Sequence, residues 1–541
     1  MRLPTDRHPG TRPARAKART PLRIGVLVGD DVRLENWQLW LFDKLLADPR
    51  FDLAALIVHQ NPCGERTSRL VDLVCQADRL LFARQPPYRT SRFDDARRKI
   101  TRIDLSEKDA AVRIGDAGLD LVLRHVPAPL PKELVATLPF GEWTLSFTAL
   151  QSPTADWTGL AEVIAHAAAI DVHLTVDRGR GAAPERVASA SFNPKISAAR
   201  TAAFVKEKAV VLLMRELARL AETRTLEVLP PLPARIGQRP PTGAEIGTYA
   251  AQLVRSTSRL ALKTLRRKAG LEAAVWTLYG GSGSVEDFDP RLSAEIPPTR
   301  ASIRADPFLF IHEGQCYVFY EDYAVSDRKA HIGVGRLSGN TIEPLGTAIE
   351  GDSHLSFPFV FRHGRDIFMM PETHQKHRIE IWRCIDFPLK WELHATALEG
   401  SSPADSTLFR HQGRWWLLTN LSDHFAFEDH CSELYAFEVD GPKLSRVVPH
   451  ARNPVVIGSS VARNAGRVFN RSGRLFRPSQ NNAYGVYGYG LNIMEIQELS
   501  HEAYRETCVR TIRPDFKPGL VGCHHFDSDG GRYILDARLT S

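Results

Sequence analysis

The stretch ADPFLFIHEGQCYVFYED, Ala305 to Asp322, decides the fold. Phe308 to Ile311 and Cys316 to Tyr320 read as two apolar strands joined by the turn His312-Glu313-Gly314-Gln315. Asp306 opens the first strand, and Glu321 and Asp322 close the second. The pattern recurs as SFPFVFRHGRDIFMMPET (356–373), ADSTLFRHQGRWWLLTN (404–420), ARNAGRVFNRSGRLFRPSQN (462–481) and GCHHFDSDGGRYILDARL (522–539). A shared Phe falls at 310, 361, 409, 469 and 526, at intervals of 51, 48, 60 and 57 residues. A period near 50 with several strands in each copy is the pattern of a propeller. Five copies predict an all-β five-bladed β-propeller over 296–541.

The innermost strands of a propeller line its axis, so residues at equivalent strand ends converge on one mouth. The leads are Asp306, Ser356, Asp405, Arg463 with Asn464, and His524 with His525. The second-strand ends are Glu321, Glu372, Asn420, Arg477 with Gln480, and Asp536. Carboxylates and amides grip hydroxyls, and Trp415, Trp416, Tyr484 and Tyr487 offer flat faces, so the set suits a sugar. Paired carboxylates also suit acid–base work on a glycosidic bond. Blade-to-blade hydrogen bonding is the structural use of the same residues. Asp306, Glu372, Asp405 and Glu321 are the candidate catalytic groups. His354, Arg463, Arg477, Gln480, His524 and Asp536 are the candidate substrate-binding groups. No metal ligand set and no cofactor motif is recognised, so neither is expected.

Asp306 in ADP resembles the first-blade Asp of five-bladed glycosidases. That resemblance implies a base or nucleophile at Asp306, an acid at Glu372 or Glu321, and an orienting carboxylate at Asp405. Several spaced motifs, ADPFLF, GDSHLSFPFVF, MMPET, ARNAGRVF, RPSQN and GCHHFD, resemble the N-terminal propeller of the plant glucosamine inositolphosphorylceramide transferases. The resemblance covers nearly all of Ala305 to Leu539. In that family, transfer is associated with a separate glycosyltransferase domain, and nothing in this chain resembles it. The resemblance therefore implies a fold more firmly than a reaction.

The first half reads differently. PLRIGVLVG (21–29), the helical spacing of NWQLWLFDKLLAD (36–48) and FDLAALIVH (51–59) make a βαβ unit and predict a parallel sheet. DLVLRHV (120–126) and GEWTLSF (141–147) read as further strands. GVLVGDD lacks the G-x-G-x-x-G pattern of dinucleotide sites. Segment order from Arg23 to about Phe204 resembles the formyltransferase N-terminal domains, and bacterial proteins of the propeller type join such a domain to it. Formyl transfer in that family uses an Asn-x-His pair and a later Asp. This chain has SFTALQSP, with Ser146 and Thr148 and no His, and then DRGRG after Asp177. The resemblance supports the fold and speaks against the activity. His173 reads as a strand residue.

The fold class expected is thus multidomain: a basic arm over 1–20, a formyltransferase-like α/β domain over 21–205, a helical and Pro-rich connector over 206–295, and the propeller. Within the connector, Thr248 to Gly270 reads as a basic amphipathic helix with apolar Leu253, Leu260 and Leu265. It would pack between domains or lie on a membrane surface.

The 541 residues are 43% hydrophobic and 25% charged, an ordinary globular composition. The net charge is +7, and the arm MRLPTDRHPGTRPARAKART holds most of it. The remainder is too weakly charged to argue for nucleic acid, so none is expected as a partner. No apolar h-region follows the arm, no run of about 18 apolar residues occurs, and the seven cysteines form no CxxC pair. A cytoplasmic protein, with the arm and basic helix suited to an anionic inner-membrane surface, is the expectation. Three functions stay open: a glycoside hydrolase or glycosyl transferase acting on a polysaccharide or glycolipid, a non-catalytic glycan-binding module, and a sugar N-formyltransferase.

Overall fold

The computed structural model describes residues 20–29, 33–60, 69–82, 90–92, 100–147, 158–231, 241–268, 276–297, 302–324, 329–422 and 428–539. Nearly all of the basic arm, Thr148 of SFTALQSP and the centre of the Pro-rich stretch lie outside them.

The first half is a seven-stranded mixed α/β sheet. Its strands run in the order Thr101–Asp104, Phe51–His59, Leu22–Gly29, Leu121–Arg124, Glu142–Phe147, Ile170–Asp177, Glu185–Phe192. The first five are parallel, as the βαβ reading predicts, and the last two add antiparallel. The helix Ala198–Thr223 covers this sheet. Its N-cap Ser197 accepts from the Arg200 N–H, and Phe204, Val205, Val210, Leu213, Leu217 and Leu220 join the sheet's core. The boundary expected at 205 therefore falls inside one helix, and residues to 223 belong to the α/β unit. Its apolar spacing belongs to that core, which a helix read alone does not reveal.

The second half is a five-bladed β-propeller of antiparallel sheets. Blade one is Ser302–His312, Gln315–Ala324, His331–Ser338 and Thr341–Ile349; blade two is Ser356–His363, Asp366–Glu372, Ile379–Asp386 and Lys390–Ala397. Blade three is Pro403–His411, Arg414–Leu421, Glu433–Val439 and Val447–Pro449; blade four is Phe469–Arg471, Arg474–Ala483, Val486–Leu499 and Tyr504–Ile512. Blade five takes its inner strands, Phe526–Asp529 and Arg532–Leu539, from the end of the chain. Its outer ones, Trp276–Ser282 and Ala294–Ile296, come from before blade one. The propeller thus begins at 276 and not at 296. A repeat found by its inner hairpin gives no sign of the outer strands that close the ring.

The two units meet across a buried ion pair. Lys208, on the outer side of the long helix, is fully buried and donates to Glu433 Oε1 at 2.9 Å, with Asp429 Oδ2 at 3.5 Å. Burial alone would lower the lysine pKa, but the two carboxylates raise it. Backbone bonds extend the junction, from Ser459 N to Ser191 O at 2.9 Å and from Tyr484 N to Ala168 O at 3.0 Å. A groove of about 560 Å³ also lies along it, lined by Arg215, Glu216, Arg219, His450 and Tyr504 and by none of the predicted mouth residues.

Lys208→Met would leave Glu433 buried without its lysine. The expected cost is about 3–5 kcal/mol of unfolding free energy in a denaturant titration. Adding Glu433→Leu should recover much of that loss. Equal losses in the single and double variants would show that the pair does not hold the units together.

Candidate functional site

The inner strands build the mouth with one repeated device. In blades one, two and three the hairpin register slips by a residue, between Ala305 and Phe308, between Ser356 and Phe359, and between Ala404 and Thr407. Each slip is a β-bulge, and each holds one non-glycine residue in the left-handed region: Asp306 at φ 48°, Phe357 at 46° and Asp405 at 46°. Asp tolerates that region better than most residues, and the bulky Phe357 does not. A bulge re-aims the side chain it carries.

The opposing strands bring the second set. Glu321, Glu372, Asn420 and Gln480 each lie six residues beyond the first residue of their strand, so they share one face. Arg477 is three residues beyond it, an odd step that turns its side chain the other way. It is fully buried, bonded to Glu506 at 2.6 and 2.9 Å and to the Val461 carbonyl at 2.7 Å. Arg477 is thus a structural clamp and not a mouth residue, a correction to the sequence reading. Asp536 sits two residues short of the shared level. Trp416 is packed in the core, and Trp415 lies against Gly441 and His363, so neither offers a face to the mouth.

The mouth residues also tie blade to blade. Asp536 Oδ2 accepts from Asp306 N at 3.2 Å, and Asp306 Oδ2 from Phe357 N at 3.3 Å. Glu372 Oε2 accepts from Asp405 N at 3.2 Å, and Asn420 Oδ1 from Asn464 N at 2.9 Å. Thus the structural use of these residues is real, and it leaves each carboxylate with a second oxygen.

Asp306 Oδ1 faces His525 Nδ1 at 3.5 Å and His524 Nε2 at 3.8 Å. His524 Nδ1 is in ion-pair contact with Asp536 Oδ2 at 2.6 Å, while Asp536 Oδ1 accepts the backbone N–H groups of His524 and His525. Burial would raise the Asp306 pKa, but the two histidines bring it below the usual range. Burial would lower the His524 pKa, but Asp536 and Asp306 raise it. Among the described residues, Asp306, His524 and Asp536 are a group whose donor atoms lie within 4.8 Å of one another, close enough to hold a metal ion. Their contacts with one another account for that closeness without one.

Around Glu372 the partners differ. His374 Nδ1 is 2.8 Å from Oε1, and Arg463 donates to Glu372 Oε2 at 3.3 Å and to Asp405 Oδ2 at 2.7 Å. Gln480 Nε2 lies 3.5 Å from the same Asp405 oxygen. Burial pushes Glu372 up, but His374 and Arg463 outweigh it and keep the group ionised. Asp405 moves the other way: burial, with Glu372 and Asp306 close by, lifts it well above the usual range despite Arg463.

Glu321 stands apart, because it makes no blade-to-blade bond among those described. Its Oε1 is 3.1 Å from His354 Nε2. Burial and the nearby Asp306 charge raise its pKa, against the pull of His354. Two groups escaped the sequence reading. His374 lies two residues past Glu372, where only the short spacing in PETH hinted at it. Trp276 stacks on His524 at 4.0 Å from a strand placed outside the expected propeller. At the rim, Tyr487 is 40% exposed, and its ring centre is 5.4 Å from the Arg463 guanidinium.

The α/β unit shows less of a site. His173 is a buried strand residue, with Nδ1 2.8 Å from Ser189 Oγ. His125, just beyond the strand Leu121–Arg124, is buried beside Trp37 and bonded to Gln38 at 3.2 Å; burial lowers its pKa to about 4.

The family described as glucosamine inositolphosphorylceramide transferase 1, N-terminal, matches residues 293–518. The match holds Asp306, Glu321, Glu372, Asp405, Arg463 and Gln480, and stops short of His524 and Asp536. Glucosamine inositolphosphorylceramide transferase 1 of Arabidopsis thaliana is 35% identical over 232 residues, 41% of this chain and 30% of the relative. Its namesake from Oryza sativa subsp. japonica is 34% identical over 233 residues, 41% and 31% of the two chains. The chain thus spans about 30% of the length of these curated relatives. Among solved structures, a thermostable family-43 glycoside hydrolase aligns with 45% of this chain and 92% of its own, at 15% identity and a TM-score of 0.35. An α-L-arabinofuranosidase from Lactobacillus brevis aligns with 44% and 91%, at 14% identity and 0.31. The propeller is established by its own five sheets and not by these scores. The formyltransferase-like reading of the first half rests on the sequence resemblance alone.

His524 makes stability depend on pH. Its folded pKa is raised above the ordinary 6.5, so its contribution is full below pH 6.5 and is lost as pH rises through the folded value. The thermal unfolding midpoint of the wild type should therefore fall as pH rises across that window, and the same slope should shrink in His524→Gln. An unchanged slope would show that His524 is not the group responsible.

Proposed function

We propose that the chain is a carbohydrate-active protein whose propeller mouth works on a glycosidic bond of a polysaccharide or glycolipid, as a hydrolase or a glycosyl transferase. The observation that carries this reading is geometric: the bulge at Asp306 and the end of its paired strand at Glu321 set two buried carboxyl groups at one mouth, Asp306 facing His525 and His524 and Glu321 facing His354, an arrangement that lowers the Asp306 pKa and raises that of Glu321. An ionised base or nucleophile beside a protonated acid is the pairing glycoside chemistry requires. Asp306 acts as base or nucleophile, with His524 and His525 setting its charge. Glu321, rather than Glu372, is the acid, because Glu372 is kept ionised by His374 and Arg463. Asp405, Arg463 and Gln480 orient the substrate, with Tyr487 as a stacking face at the rim. The relatives are named for transfer involving glucosamine and inositolphosphorylceramide, which supports a sugar or glycolipid as the substrate class.

A second reading, a glycan-binding module without chemistry, draws on the same bonds. Glu372 and Asp405 are both tied to Arg463, and the chain matches only part of relatives named as transferases.

The test is a mass-spectrometric screen of wild type, Asp306→Asn and Glu321→Gln against oligosaccharides, glycolipids and activated sugars. Either variant should lose about 10²- to 10⁴-fold in turnover with the fold intact. The rate should rise as Asp306 ionises and fall as Glu321 loses its proton, the second limb lying above the usual range of a Glu. Unchanged turnover in Asp306→Asn would overturn the mechanism. Glycan retained without product would establish the binding module.

A further inference from the structure

The helix Gly243–Lys268 begins inside the protein and ends outside it. In its first turns Ile246 and Tyr249 are buried, and the Tyr249 hydroxyl donates to Asp78 at 2.7 Å. From Ser258 onward almost every described side chain is exposed. This segment does not pack between the domains as expected: its first half packs against the helices Arg69–Phe82 and Leu160–Ile164 of the α/β unit.

At about 100° per residue, two adjoining sectors of the exposed part stand out, while Leu260, 57% exposed and expected on the apolar face, falls on the far side of the helix from the first of them. Ala251, Val254, Ser258, Ala261, Leu262 and Leu265 fall in one, and Val254, Leu262 and Leu265 are 66, 51 and 64% exposed. Arg255, Arg259, Lys263 and Arg266 fall in the next sector. Arg255, Arg259 and Arg266 are exposed, and none has a carboxylate partner among the described residues. No acidic residue occurs between Glu245 and the end of the helix, while Arg267 and Lys268 extend its basic run. The helix Arg69–Phe82, packed beside it, adds Leu73, Leu80 and Leu81, each more than 60% exposed.

Leucines left in water cost free energy, and clustered unpaired arginines repel one another. Neither feature stabilises the chain by itself. One surface satisfies both, an interface with an apolar interior and an anionic skin. We propose that the outer half of this helix docks the protein on an anionic lipid bilayer, with Val254, Leu262 and Leu265 entering the headgroup boundary and Arg255, Arg259 and Arg266 facing lipid phosphates. A protein partner would have to match the same leucines with a strongly acidic rim, whereas an anionic bilayer supplies both features at once.

The helix is also braced to the mouth. Gln252 Nε2 donates to the Ile164 carbonyl at 3.1 Å, and the turn that follows meets the propeller where Tyr484 N donates to Ala168 O. That propeller hairpin, Ala483 to Val486, leads into Tyr487 beside Arg463. Asn193 holds it from the α/β side, accepting from Gly485 N at 2.7 Å. Docking would therefore place a bilayer on the side of the α/β unit that carries the mouth-side hairpin. This last consequence rests on the reading of the mouth as a sugar site; the docking itself does not.

The experiment is flotation of the full chain with vesicles of phosphatidylcholine alone, or with about a third phosphatidylglycerol. Wild type should float with the anionic vesicles and not with the neutral ones, and raised salt should release it. At roughly a kcal/mol per basic residue, the triple variant Arg255→Gln, Arg259→Gln, Arg266→Gln should bind on the order of a hundredfold more weakly. Leu262→Asn with Leu265→Asn should also lose binding, while its circular dichroism and unfolding midpoint stay those of wild type. Turnover of a soluble glycoside, if the mouth performs it, should be unchanged in both variants, so failure of docking and failure of the mouth reading are told apart. Absence of wild-type flotation, or flotation that survives both variants, would overturn the proposal. So would a concentration-dependent dimer that the leucine variant abolishes, because the face would then belong to a second copy.

Discussion

The propeller depends on side-chain-to-backbone hydrogen bonds that cross four of its five blade junctions, the fifth being closed by a backbone bond from Phe526 N to Ala465 O. Asp536 receives the N–H of Asp306, Asp306 that of Phe357, Glu372 that of Asp405, and Asn420 that of Asn464. In the first three blades the donated N–H belongs to the left-handed residue of the bulge. Such a residue costs on the order of 1–3 kcal/mol unless its surroundings hold it. Its N–H turns out of the blade's own ladder, and a buried donor left unmatched would add to the cost. The polar group of the preceding blade answers both demands. Blades that share no ladder bonds are thereby fixed in angle around the axis.

The same bonds explain why a structural ring has the electrostatics of a reaction site. A carboxylate has two oxygens, and the ring occupies one. The second is left at the mouth among other buried charges, where small differences in partners move pKa values apart. Asp306 has two histidines beside it and remains ionised. Asp405 has one arginine shared with Glu372 and is lifted. Glu321 bears no ring duty and has only His354 against the combined push of burial and Asp306. Four carboxyl groups in one funnel thus come to differ without any difference in residue type that a reader of the sequence could rank.

The α/β unit is more than an appendage to this mouth. Its long helix buries Lys208 against Glu433, and Asn193 grips the hairpin that presents the rim tyrosines. Asn420 Nδ2 donates to the Glu433 carbonyl at 2.7 Å, so the ion pair that joins the units is anchored close to the ring itself. These contacts tie the first half to the mouth-side hairpin of the second at more than one point.

Much of this was legible in the sequence. The hairpin repeat, with its Phe every 50 or so residues, set the number of blades, because each blade must bury the same inner strands. It also named Asp306, Glu321, Glu372, Asp405 and Gln480, because equivalent positions in a ring of blades converge. The βαβ spacing likewise set the parallel sheet of the first half. The rest was decided by tertiary structure. Arg477 looked equivalent to Gln480 until register, which alternates side chains at every residue, turned it away from the mouth. The strands at 276 and 294 carry no repeat, because they complete a blade begun at the other end of the chain. The long helix was read as a connector because its core and interface faces exist only once a sheet and a propeller lie on either side. Which carboxyl group keeps its proton depends on distances of a few ångströms between residues up to 230 positions apart. Coulomb interactions in a buried site are fixed by those distances, and a linear sequence does not hold them.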